Sequence, residues 1–65
     1  MAVLQRLRQV REEHALSRRA LAAKASVTQA TIVRAEGGGD VRPSAHRRLA
    51  DAFGVQPREL IDTRA

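Results

Sequence analysis

Apolar residues in this chain recur at steps of three and four, and nowhere do they alternate with period two. The first pattern lines one face of a helix, while a half-buried strand needs the second, so helix is expected throughout. Leu4, Leu7 and Val10, with Arg11 on the same stripe, mark an amphipathic helix from 3 to about 14. His14 closes it, as a side chain suited to the negative C-terminal end. Ser17 is a good N-cap for a second helix over 18–25, whose inner face carries Leu21 and Ala25. After a break at Ser26 and Val27, Thr28 caps a third helix that reaches about Glu36. The glycines at 37, 38 and 39 end it, since glycine enters the left-handed region without a Cβ clash. Pro43 and Ser44 start a fourth helix, with Leu49, Ala50 and Phe53 inward and Gly54 as its stop. Pro57 opens a short fifth helix carrying Leu60 and Ile61. The expected fold is all-α: five short helices with tight connections, and no repeat or linker between them.

A chain of 65 residues allows one domain, taken here as 1–65. Such a domain buries only about 60% of the surface its unfolded form exposes, so its core is marginal. Disulfides and thiolate metal sites are excluded because the chain has no cysteine. Two histidines, His14 and His46, are too few for a zinc site, and His46 is expected at the surface. Tight packing or self-association must supply the stability instead.

Lys and Arg outnumber Asp and Glu by 12 to 7, a net charge of +5. A polyanion suits that balance, although a merely solvated basic surface has the same composition. Phe53 is the one aromatic residue, which argues against the stacking platforms of single-strand binders. No apolar run approaches the ~20 residues needed to span a bilayer, and Gln5, Arg6 and Arg8 break up any signal-peptide core. No membrane partner, cofactor, metal or small-molecule ligand is expected. Glu12, Glu13 and Asp51 are isolated acids with no base or nucleophile beside them, so an enzyme is not expected. Arg47 and Arg48 look like a contact cluster, with a solvent face of the fourth helix as the equally weighted reading.

The most informative stretch runs over roughly 18 to 37. Two short helices crossing steeply need a small residue where their backbones approach, and Ala22 supplies it. Leu21, Ala25, Val27, Ile32 and Ala35 fall where both helices face a shared core, with a three- to four-residue break between them. That is helix-turn-helix spacing. The outward face of the second helix of such a unit is free to enter a major groove.

Leu16-Ser17-x-x-x-Leu21-Ala22-x-Lys24-Ala25, then Thr28-Gln29-x-Thr31-Ile32 and Glu36-Gly37, resembles the helix-turn-helix family of phage repressors and Cro proteins, the XRE type. The similarity continues through Arg42-Pro43-Ser44 and Leu49-Ala50-x-Ala52-Phe53-Gly54-Val55, covering nearly the whole chain without a gap. It implies a lambda-repressor-like domain with the helix-turn-helix at its centre. Base reading in the family maps onto Gln29, Ala30 and Arg34, with Thr31 and Val33 as further candidates. Gln29 suits adenine N6 and N7, Arg34 suits guanine O6 and N7, and Ala30 or Val33 suits a thymine methyl. Phosphate contacts map onto Arg18, Thr28, Arg42 and Ser44, which set position and not sequence choice. A structural ion pair maps onto Arg11 and Glu36.

Two positions depart from the family. Ser26 stands where a turn glycine is common, at a cost of roughly 1 kcal/mol if φ is positive there. Arg18 replaces a common glutamine, which keeps a phosphate grip but removes a relay to Gln29.

The resemblance implies a cytoplasmic, nucleoid-associated regulator of bacterial or phage type, with a repressor as the leading expectation. Its partner would be double-stranded DNA, bound as a homodimer to an operator with two half-sites about one helical turn apart. Pro57, Arg58, Leu60 and Ile61 map onto the family's dimer face. No effector domain is expected alongside it. An antitoxin or adaptor that chiefly binds another protein is the alternative, and a chain ending at Ala65 without a toxin-wrapping segment counts against it. An architectural DNA role ranks below both, because the third helix is suited to groove readout.

Overall fold

The computed structural model describes residues 2–61. Its elements, in chain order, are β1 (Ala2–Val3), α1 (Leu7–Glu13), α2 (Arg18–Ala25), α3 (Gln29–Glu36), β2 (Asp40–Val41), α4 (Pro43–Phe53) and a 3-10 turn (Pro57–Leu60). The domain is therefore mostly helical, and it corrects the expected count. Among the described residues there are four α-helices, and the fifth is a single 3-10 turn.

The helix limits follow local chemistry. Ser17 has extended backbone, and its hydroxyl accepts from the Ala20 N–H at 3.0 Å, which starts α2. Thr28 does the same for α3, accepting from the Thr31 N–H at 3.1 Å. Pro43 occupies the first turn of α4, where a missing N–H costs nothing. Gly54 ends α4 in the left-handed region at φ 70°. Of the three glycines after α3, Gly38 takes the positive φ, 92°, while Gly37 keeps a negative one.

The first helix departs from the expected span of 3 to 14. Val3 lies in β1, and α1 begins only at Leu7. Three contacts made by other parts of the backbone explain this. Ala2 and Val3 pair antiparallel with Val41 and Asp40. The Leu7 N–H donates to the Leu4 carbonyl at 3.1 Å, closing a turn, and the Arg6 N–H donates to the Leu60 carbonyl at 3.0 Å. Leu4 still reaches the core, so the apolar stripe is satisfied without the first helical turn.

One hydrophobic core draws on the four helices, β2 and the 3-10 turn, with Leu4, Leu7, Leu21, Ile32, Leu49 and Leu60 fully buried. Ala22 and Ala25 of α2 and Ala35 of α3 are buried too, which lets the backbones of α2 and α3 approach closely. His46 is not a surface residue. It is half-buried, and its Nε2 lies 2.6 Å from the Pro57 carbonyl, tying α4 to the 3-10 turn. His14 caps α1, and its ring packs on Phe53 with centroids 4.9 Å apart. No helix among the described residues is long and apolar enough to cross a membrane.

Candidate nucleic-acid interface

The side chains on the outer face of α3 are set by helical geometry. Gln29, Ala30, Val33 and Arg34 stand at i, i+1, i+4 and i+5, which places them on one side, opposite the buried Ile32 and Ala35. All four are exposed. Val33, at 55% exposure, is the exposed large hydrophobic side chain among the described residues. Gln29 and Arg34 make no side-chain hydrogen bond among those residues, so their donors are free. Thr31 is different: it is half-buried, and its hydroxyl lies 2.9 Å from that of Thr28, so the two hydroxyls engage each other at the helix start.

The phosphate candidates fall into two groups around this face. Arg42 and Ser44, both exposed, stand at the start of α4. Together with Thr31 and Arg34 they line a cleft of about 240 Å³ whose floor includes Val41 and Ala45. Asp40 lines the same cleft, an acid the sequence reading did not single out. Arg18 sits apart from this cleft at the first position of α2, where its Nε donates to Glu36 Oε1 at 3.1 Å.

Glu36 is the centre of a three-residue network. Arg11 donates from Nε to Glu36 Oε2 at 2.6 Å, from Nη2 to Oε1 at 3.3 Å, and from Nη1 to the Leu16 carbonyl at 2.8 Å. The side chains of Arg11 and Glu36 are 11% and 4% exposed, whereas that of Arg18 is 47% exposed. Burial pushes the Glu36 carboxyl up, but the hydrogen bonds and charges of Arg11 and Arg18 outweigh it and hold the group below its ordinary value. The hydrogen bond to Glu36 correspondingly raises the Arg11 guanidinium, against the opposing effect of its burial. Arg18 was assigned to phosphate by motif position alone. Its tie to Glu36 arises because the start of α2 meets the end of α3, a proximity that sequence distance conceals.

Two further contacts define the turn between α2 and α3. Ser26 has φ 58° and ψ 42°, the left-handed conformation that glycine adopts without strain. Arg48 is exposed, as expected of a solvent-facing residue, and it also donates from Nη1 to the Ser26 carbonyl at 3.2 Å, which ties α4 to that turn. Arg47 is exposed.

One family model, the helix-turn-helix domain, matches residues 3–63. The chain belongs to the helix-turn-helix domain family. This is a family of XRE-like DNA-binding domains. No curated protein and no solved structure gave a significant match.

The residues mapped onto a dimer face are not equally available in this helix-turn-helix domain. Leu60 is fully buried and its carbonyl accepts from Arg6, so it belongs to the core and is removed from that face. Pro57 is half-buried, and Ile61 is half-buried against the core. Arg58 is exposed.

Proposed function

We propose that this helix-turn-helix domain is a sequence-specific double-stranded DNA-binding transcriptional regulator acting as a repressor, with α3 laid in the major groove. The observation that carries the reading is the outer face of α3. It presents the Gln29 amide, the Arg34 guanidinium and an exposed valine side by side, with no hydrogen bond to either polar group among the described residues. Those groups match the chemistry of base edges: paired donors for purine N7 and O6, an amide for adenine, and an apolar surface for the thymine methyl. Arg42 and Ser44 stand beside that face as backbone contacts, with Thr28 and Arg18 at the helix starts. The net charge of +5 supplies the non-specific attraction on which such contacts are superimposed.

A homodimer on two half-sites completes the proposal, since a single helix of this length reads too few base pairs to select an operator. With Leu60 withdrawn into the core, Arg58, Pro57 and Ile61 are the residues left for the partner copy. The proposed setting is the cytoplasm, with the chain as a single domain that requires no cofactor.

Selection of the full chain against a random duplex library, followed by binding at two salt concentrations, tests the reading. A palindromic consensus and a steep salt dependence are expected. Equal weak binding to every duplex would overturn it and favour a role centred on another protein.

A further inference from the structure

Gly39 poses a question that backbone conformation does not answer. Positive φ explains Gly38 and Gly54, but Gly39 lies outside the left-handed region. Its backbone would accept any residue. What excludes a side chain is space: a Cβ built at 39 would lie 2.6 Å from Arg34 Cγ, 3.0 Å from the Arg34 carbonyl oxygen and 3.5 Å from Arg34 Cδ. The stem of Arg34 therefore runs directly over the bare backbone of Gly39, and this loop glycine is half-buried as a result.

The contact is held at both ends. The Gly39 N–H donates to the Arg34 carbonyl at 2.9 Å, which fixes the two backbones relative to each other. One residue on, Asp40 and Val41 form β2, pinned to β1. A long side chain on an exposed helix normally samples many rotamers, and ordering it costs entropy at the moment of binding. Here Cγ and Cδ of Arg34 rest in a notch made by a glycine, and Arg34 lines the cleft shared with Asp40 and Arg42.

We propose that Gly39 is a specificity-determining positioning residue: its missing side chain seats the stem of Arg34 and aims the guanidinium at one base. The inference rests on the DNA-reading role given to α3, and it extends that role to a loop residue which touches no base. A methyl group at 39 would push Arg34 off its path. Phosphate contacts from Arg42 and Ser44 would remain.

The test has two arms using the full chain. In the first, urea unfolding is measured for Gly39→Ala, Arg34→Ala and the double variant. The cost of Gly39→Ala should shrink when Arg34 has no Cγ to displace, a coupling that needs no DNA. An equal or larger cost of Gly39→Ala in the Arg34→Ala background would overturn the seating. In the second arm, the duplex enriched by selection is varied one position at a time. Gly39→Ala should lower base preference by about fivefold or more at the same position that Arg34→Ala relaxes. The double variant should lose no more than either single one, and binding to unrelated duplex should be unchanged. Full preference in a folded Gly39→Ala variant, or loss spread over several positions, would sink the proposal. If no duplex is preferred by the parent chain, the DNA-reading role fails, and the unfolding cycle still decides whether Arg34 is seated on Gly39.

Discussion

Arg11 Nε and Glu36 Oε2 lie 2.6 Å apart, joining the last turn of α1 to the last residue of α3 across 25 positions of sequence. The contact is almost dry, and the same carboxylate also receives Arg18 from the first turn of α2. One acid therefore fixes three helix ends. Removing one member of a buried pair leaves an uncompensated charge, which costs far more than the intact pair contributes. Glu36→Gln is expected to lose about 3 kcal/mol of stability, read as a lower urea midpoint at constant slope. A domain of this size holds only several kcal/mol in total, on the order of 0.1 kcal/mol per residue, so the variant should be marginally folded.

The same network sets the acid limb of stability. Because the Glu36 carboxyl is held below its ordinary value in the fold, the unfolded chain binds that proton more tightly. Its stabilisation is complete above the ordinary carboxylate range, and it is lost as pH falls through that range toward the folded value. Urea midpoints recorded over descending pH should fall in this window, and Glu36→Gln should flatten the decline. An unchanged acid limb in that variant would assign it to other carboxylates.

Two non-glycine residues among those described hold positive φ, Ala15 at 55° and Ser26 at 58°. Left-handed backbone costs a side-chain-bearing residue about 1 kcal/mol, offset in part by the greater freedom of glycine when unfolded. Ala15→Gly and Ser26→Gly should each stabilise the fold, by up to about 1 kcal/mol. For a domain this small that corresponds to a rise in Tm of roughly 4–8 °C. The two turns share no hydrogen-bond partner, so the gains should add. The Arg48 bond to the carbonyl at 26 survives the second change, because it uses backbone.

Base reading and backbone gripping separate by substitution. Arg34→Ala should relax preference at one position by about 1–3 kcal/mol, while Arg42→Ala should weaken all duplexes alike and reduce the salt slope by about one. Competition binding with single-position variants of the selected duplex checks the first. Titrations at several salt concentrations check the second. Identical profiles for the two variants would remove the distinction drawn between the α3 face and the start of α4.

Leu60 offers a test that distinguishes core from interface. It is fully buried within one chain, so Leu60→Ala should cost about 2–5 kcal/mol even at dilutions where no dimer persists. A loss of stability that appears only at high protein concentration would return Leu60 to the dimer face. Arg58→Glu, on an exposed residue beside it, should leave monomer stability nearly unchanged.

Much of the helix-turn-helix was legible in the chain because its signals are local. Ser17 and Thr28 cap with their own side chains, Pro43 suits a first turn, and Gly54 ends α4, each through bonds spanning a few residues. The buried set of Leu21, Ala22, Ala25, Ile32 and Ala35 followed from periodicity and from the need for small residues at a helix crossing. The outward face of α3 followed as the complement of that set. The family resemblance supplied the site residues, which geometry alone would not have picked from other exposed polar groups.

What tertiary structure decided involves partners distant in sequence. Val3 sits in a strand and not a helix because β2 is there to pair with it. Leu60 sinks into the core because the turn before α1 reaches its carbonyl, and His46 turns inward to the Pro57 carbonyl. Arg18 meets Glu36, and Arg48 meets the turn at Ser26, only once the helices have crossed. By itself the sequence determined which stretches become helices and which faces they bury, since capping and periodicity act over one or two turns. The fold decided which charges meet, which glycine leaves room for Arg34 and which apolar residue is withdrawn from the surface, because those depend on how the chain returns on itself.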